Sequence, residues 1–178
     1  MFEEIIRLSE KRFLGFGIMM PWENNLEIQF GLWKEAVASQ KINKLKSLSK
    51  SERAVGIFCY RCDAEKRAFS YHIACENKAN ASDTEFEELK INAGEFAVFK
   101  NACNYHSNAF KAYNDLCEEV WGQWLPNSGY TSLIELETFG CVEGYASIEI
   151  FHPDDPTVIP YQLEMLIPVK KDLNSDQF

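Results

Sequence analysis

Glu164 interrupts an otherwise mostly apolar run, Tyr161 to Val169, near the end of the chain. A carboxylate in a low-dielectric pocket attracts a cation strongly, because little water screens it. Aromatic faces add roughly 0.5–2 kcal/mol each through their quadrupoles. One acid and several rings are therefore enough to hold an organic cation. The period of two in a strand groups Gln162, Glu164 and Leu166 on one face and Leu163, Met165 and Ile167 on the other. Pattern alone makes Glu164 a solvent-facing residue of a half-exposed strand. The candidate walls are Trp33 and Phe30 on a first helix, Tyr60 and Tyr71 on a hairpin, Tyr145 and Phe151 around a later strand, and Tyr113 and Trp121 on a second helix. Leu166 shares the face of Glu164. Each of these aromatics could equally be plain core. Glu149, between two isoleucines, reads as a surface residue.

Other chemistries find little support. Of six cysteines only Cys59 and Cys62 have CxxC spacing, and no second pair follows, so no metal site is expected. That pair lies in strand-like sequence rather than at a helix start, which weakens a redox reading. The expectation is reduced, mostly buried thiols. The histidines stand singly, and His106 reads as exposed and idle. No spacing supports a Ser-His-Asp arrangement. Gly15-Phe16-Gly17 lacks the third glycine and the helix start of a dinucleotide site. No cofactor is expected.

The elements that must position these residues follow from periodicity. Arg12 to Met20 reads as a buried strand stopped by Pro21. Asn24 or Asn25 is placed to cap a helix carrying Leu26, Phe30, Trp33 and Val37 on one face, running to about Leu45. Lys46 to Arg53 reads as a loop. Ala54 to Arg61 and Phe69 to Glu76 form a hairpin. Phe86 to Ile91 and Glu95 to Lys100 are strands broken at Ala93-Gly94. Asn104 or Ser107 caps a second helix striped by Phe110, Tyr113, Leu116, Cys117, Val120 and Trp124, ended by Pro126 and Gly129. Strands Ser147 to Phe151 and Tyr161 to Val169 close the chain.

The order is strand, helix, strand, strand, twice. Such a duplicated unit predicts an α+β domain spanning residues 1–178: one antiparallel sheet, two main helices on one face and a central cleft. The net charge of −9 argues against a nucleic-acid partner. No apolar run approaches the roughly 18 residues that span a bilayer, and no secretory signal is evident, so a cytoplasmic protein with no membrane partner is expected. Strand edges would permit a homodimer, or pairing with a separate regulatory protein.

Several motifs resemble the gyrase-inhibitor-like family, which includes the effector-binding domains of multidrug-responsive and AraC-type regulators. Glu164 stands four residues before Pro168-Val169, as in that family's closing strand. Ile148-Glu149-Ile150-Phe151 with Pro153-Asp154-Asp155-Pro156 resembles its upstream strand and turn. Gly94-Glu95-Phe96-Ala97-Val98-Phe99 resembles its mid-chain strand, and Leu32-Trp33 the pair on its first helix. The resemblance spans roughly residues 10 to 170. It implies a pocket for hydrophobic, drug-like organic cations, with Glu164 as the buried anion. Ala102-Cys103 and Ala74-Cys75 depart from the family's usual glycine, and Phe151 replaces a frequent tyrosine. No helix-turn-helix sequence precedes residue 10 or follows residue 170, so a stand-alone binding domain without direct DNA contact is expected. No catalytic residue is assigned. The alternatives are a hydrolase of small electrophiles using Glu164 as general base, which the missing Phe151 hydroxyl disfavours, and a protein-binding inhibitor of a topoisomerase.

Overall fold

The computed structural model describes residues 1–103, 109–153, 155–158 and 161–172. Asn104, Ser107 and His106, named above as caps and an idle histidine, lie outside the described residues. Eleven strands are present among those described: β1 (Phe2–Leu8), β2 (Lys11–Pro21), β3 (Ala54–Asp63), β4 (Ala68–Glu76), β5 (Glu87–Ile91), β6 (Gly94–Cys103), β7 (Tyr130–Ser132), β8 (Ile134–Glu135), β9 (Gly140–Cys141), β10 (Ser147–His152) and β11 (Tyr161–Lys171). The helices are α1 (Asn25–Ala38), α2 (Lys41–Ser49), α3 (Ala109–Cys117) and α4 (Leu125–Ser128), with a π-helical segment, Glu118–Trp124, between the last two.

The main sheet runs β1-β6-β11-β10-β3-β4-β2-β5, all antiparallel, with β7 beside β11. The two predicted units are β2-α1-α2-β3-β4 and β6-α3-β10-β11. They meet where β10 pairs β3, Ile148 opposite Ile57. The α+β class and the repeat of elements are as expected. The sequence pattern did not predict β1. It pairs with β6 of the second unit, while β5 pairs with β2 of the first. Ser9-Glu10 joins β1 to β2, and Asn92-Ala93 joins β5 to β6. The two outer edges of the sheet are thereby tied together, and the sheet curls about a concave face.

Both faces of the sheet are covered, which explains why its strands read as nearly continuous apolar runs. Leu14, Met20, Phe58, Tyr71, Ile73, Phe99, Leu163 and Met165 pack with Trp33 and Ala36 of α1 and with Leu116 of α3. On the concave face Phe13, Val55, Ile57, Leu89, Ile91, Phe96, Val98, Ile148 and Leu166 form a second core.

The first helix departs from its prediction. It breaks at Ser39-Gln40, where Gln40 takes φ 59°, and resumes as α2 to Ser49, so the expected loop begins later. Asn24 is the cap residue, yet it sits in the left-handed region at φ 60° and its side chain makes no capping bond. Asparagine tolerates that region better than most residues. Helix α3 passes into the π-helical segment, then into α4, where Pro126 fits the first turn and Gly129 ends the helix at φ 71°. Among the described residues no helix is long and apolar enough to cross a membrane.

Candidate functional site

Among the described residues the most completely enclosed acid is on β10. Glu149 has no exposed surface. It points from the sheet toward the helices, opposite Gly56 on β3 and Met165 on β11. Three side chains donate to it. Gln29 Nε2 of α1 reaches Oε2 at 2.9 Å, the Tyr71 hydroxyl of β4 reaches Oε2 at 2.9 Å, and the Tyr113 hydroxyl of α3 donates to Oε1. Trp33 Nε1 donates to the Tyr71 hydroxyl at 2.9 Å, so Tyr71 is held from both sides. The Trp33 ring meets Phe151 edge to face at 5.5 Å.

Burial pushes the Glu149 carboxyl up to about 7, and the donors from Tyr113, Tyr71 and Gln29 only partly oppose that rise. Burial and the neighbouring Glu149 charge push both phenols well above their ordinary range. They therefore remain protonated donors. Gly56 makes room for the group. A Cβ at that position would meet the Tyr71 hydroxyl at 2.3 Å and Glu149 Oε2 at 2.9 Å.

A cavity of about 180 Å³ opens in front of this cluster. Gln29 and Tyr113 form its inner wall, so they separate it from the carboxylate. Trp22, Leu26, Phe58 and Trp121 supply apolar and aromatic surface. Trp121 Nε1 is buried with no hydrogen-bond partner among the described residues. Trp121 lies in the π-helical segment, a geometry that recurs at functional sites because it widens the helix locally.

The predicted site residues divide between the two faces. Trp33, Tyr71, Tyr113 and Phe151 gather around Glu149. Phe30 is buried on α1 without lining that cavity. Glu164 does not join them, and its expected role as the buried anion is corrected. Its partner across the ladder is Ile150, so it shares the opposite face. Its side chain is 24% exposed and lies 3.5 Å from Lys100 Nζ. Leu166 faces the concave core. Tyr60 packs on that same face, its hydroxyl accepting the Lys90 backbone N–H at 3.2 Å. Tyr145 is there too, donating to the Ala93 carbonyl at 3.0 Å. The surface reading of Glu149 is corrected as well. Its neighbours Ile148 and Ile150 look like the buried side of a half-exposed strand, but they fill the second core, which leaves Glu149 inside the first. One signal in the sequence did point the right way. The strand period puts Glu149 on the face of Phe151, already a candidate wall.

Missing from the candidates were Gln29, Gly56, Phe58, Trp22 and Leu26. Gln29 follows Leu26 by three residues on the helix, and a lone glutamine in an apolar stripe marks a buried donor. Gly56 gave no such signal. Among the described residues no group of three or more acidic, histidine or cysteine side chains is placed to hold a metal ion. Among the described residues Cys59, Cys62, Cys117 and Cys141 are free thiols, and Cys59 and Cys75 are buried.

Among curated proteins none matches this chain. Solved structures of the same fold do. The structure of SAV2435 bound to tetraphenylphosphonium superposes with a TM-score of 0.70 at 17% identity, over 96% of this chain and 94% of that one. A candidate transcription regulation protein from Staphylococcus aureus MU50 gives 0.67 at 17% identity, over 96% and 98%. An integron cassette protein from the mobile metagenome of Vibrio cholerae gives 0.58 at 17% identity, over 95% and 97%. At these identities the likeness is one of fold. The family model for integron-associated effector-binding proteins, Cass2, matches residues 4–169. That match covers nearly the whole chain, both repeated units and every residue around Glu149, and the chain belongs to the family of Cass2-like, integron-associated effector-binding proteins.

Proposed function

We propose that this protein binds hydrophobic organic cations on the helix side of its sheet, with Glu149 as the anion and Trp33, Tyr71, Tyr113, Trp121 and Phe151 as the surrounding rings. The observation that carries the reading is a fully buried carboxyl, held by neutral donors behind an aromatic cavity, whose burial pushes its pKa up. Burying an unpaired carboxylate costs several kcal/mol. Among the described residues no cation accompanies it, only neutral donors. An incoming organic cation would supply the missing charge, and its apolar body would replace water against the rings. The fold relative solved with tetraphenylphosphonium holds a lipophilic cation, which supports the same ligand class here.

The cavity of about 180 Å³ is smaller than the roughly 300–1,000 Å³ of drug-sized sites. Binding therefore requires Tyr113 and Gln29 to withdraw from Glu149, with the π-helical segment carrying Trp121 outward. A ligand that offers an acceptor to Trp121 Nε1 would gain a hydrogen bond there.

Isothermal titration with methyltriphenylphosphonium, and with neutral triphenylphosphine oxide of similar shape, tests the charge. Glu149→Gln is expected to weaken the cation by about 1–3 kcal/mol, as for a lost charged partner, and to leave the neutral compound within about two-fold. Equal losses for both compounds would count against the reading.

A second reading rests on the same group. A carboxyl that exchanges its proton near neutral pH beside two phenols is equipped for general acid–base work on a small electrophile. Mass spectrometry of electrophilic compounds incubated with the protein tests it. Turnover that Glu149→Gln abolishes would make the protein a hydrolase, and absence of turnover leaves it a binding protein.

A further inference from the structure

A cavity of about 600 Å³ lies on the concave side, with the sheet between it and Glu149. Its floor is Phe13, Val55, Ile148 and Leu166, each between 4% and 7% exposed. These four come from β2, β3, β10 and β11, so the floor runs across the junction of the two units. The rim has the opposite character to the helix-side site. Lys11, Arg53 and Lys78 line it together with Glu52 and Glu76. Lys11 is neutralised by Glu76, at 2.7 Å. Lys78 has no side-chain partner among the described residues. Among the described residues the Arg53 guanidinium meets only His152 Nε2, at 3.4 Å. Glu52 is exposed and forms no ion pair among the described residues. In a chain with net charge −9 this is a local surplus of cations above an apolar trough.

We infer that this trough is a second ligand site, and that it takes an amphipathic carboxylate. Three features select that class. The volume falls within the range of small-molecule pockets. The floor is apolar and continuous, which suits an alkyl or aryl body. The uncommitted hydrogen-bond donors at the rim are a guanidinium, whose planar fork matches a carboxylate, and an ammonium. An organic cation would gain the floor but meet Arg53 and Lys78. The two faces of the sheet thus carry opposite charge preferences, with Ile148 and Glu149, adjacent on β10, pointing into different sites.

Decanoate below its micellar concentration is the probe, with decyltrimethylammonium as the cationic counterpart, both titrated by calorimetry and followed by methyl NMR. Decanoate is expected to bind saturably and to shift the methyl resonances of Ile148 and Leu166. Arg53→Ala combined with Lys78→Ala should weaken it at least about ten-fold. Those two side chains lie outside the core, and unchanged binding of methyltriphenylphosphonium certifies the fold of the double variant. If neither the wild type nor the variant binds that compound, circular dichroism certifies the fold instead. Glu149→Gln should leave decanoate affinity unchanged, which separates this site from the helix-side one. No saturable binding of decanoate to the wild type overturns the inference. So does tighter binding of decyltrimethylammonium in the trough, indifference to the double variant, loss through Glu149→Gln, or shifts confined to Leu26 and Leu136, which line the helix-side cavity.

Discussion

The Tyr71 hydroxyl lies 2.9 Å from Glu149 Oε2, above a backbone position, Gly56, that has no Cβ to separate them. The two residues come from different units of the repeat, β4 in the first and β10 in the second. Their hydrogen bond therefore depends on the β3–β10 junction, where Glu149 stands directly opposite Gly56. A buried polar cluster of this kind is costly when half satisfied and specifying when complete. Here each carboxylate oxygen has a phenol, one has an amide as well, and Trp33 fixes the phenol of Tyr71.

Gly56→Ala is expected to break that contact, because the new methyl would stand 2.3 Å from the Tyr71 oxygen. Overpacking of this size costs about 1–3 kcal/mol. The nearest atom is a hydroxyl rather than backbone, so combining the change with Tyr71→Phe should relieve part of the clash. Urea denaturation of the two single variants and the double variant measures it. The double variant should be more stable than the sum of the single losses predicts. Strict additivity would mean that the methyl is accommodated elsewhere.

Stability should depend on pH through Glu149. Its carboxyl titrates near 4.5 when unfolded and at about 7 when folded. Between those values the folded chain holds the extra proton. The stabilising contribution is full below about 4.5, is lost as pH rises toward 7, and changes no further above 7. A shift of that size corresponds to roughly 3 kcal/mol. Burial holds His72 below its usual range, which acts in the opposite sense as pH falls through the mid-6 range. The quantity to measure is therefore the difference between the wild type and Glu149→Gln. Denaturation from pH 4 to 8 should show the variant gaining on the wild type as pH rises. A constant difference would mean that Glu149 titrates alike in both states.

Much of this arrangement could be read from residue patterns, and the part that could not has a physical cause. The periodicity of Leu26, Phe30 and Trp33, and of Tyr113, Leu116 and Val120, places both helices. The apolar runs of β3, β4 and β11 place the central strands. Strand β1 escaped because Glu3, Glu4 and Arg7 break its apolar pattern, and its partner β6 lies some ninety residues away. The turn at Ser39-Gln40 escaped because a glutamine at positive φ carries no compositional mark. The acid itself was misassigned between two strands. Glu149 and Glu164 both sit among apolar residues, and a rule that sends alternating polar residues to solvent presupposes one wet face. This sheet has a core on each side, so alternation could not say which glutamate was enclosed. The ladder register decides it, Glu149 opposite Met165 and Glu164 opposite Ile150.

The affinity for a lipophilic cation should follow the ionisation of Glu149, and Tyr113→Phe should displace that dependence. A cation gains most from the carboxylate form. Below a pKa of about 7 a proton must leave first, so affinity falls as pH drops, approaching ten-fold per pH unit. Tyr113 donates to Oε1 and stabilises the ionised form. Phenylalanine keeps the ring that lines the cavity and removes the donor alone. A hydrogen bond to a charged group contributes about 1.5–3 kcal/mol, so the midpoint should rise by about one to two units. Calorimetric titration of methyltriphenylphosphonium from pH 5.5 to 9 reads both midpoints. At the alkaline end the variant should equal or exceed the wild type, since Tyr113 no longer has to be pulled from Glu149 before the ligand enters. A midpoint that does not move would show that Tyr113 is only a wall of the cavity, and a midpoint that falls would mean that the phenol opposes ionisation rather than supporting it.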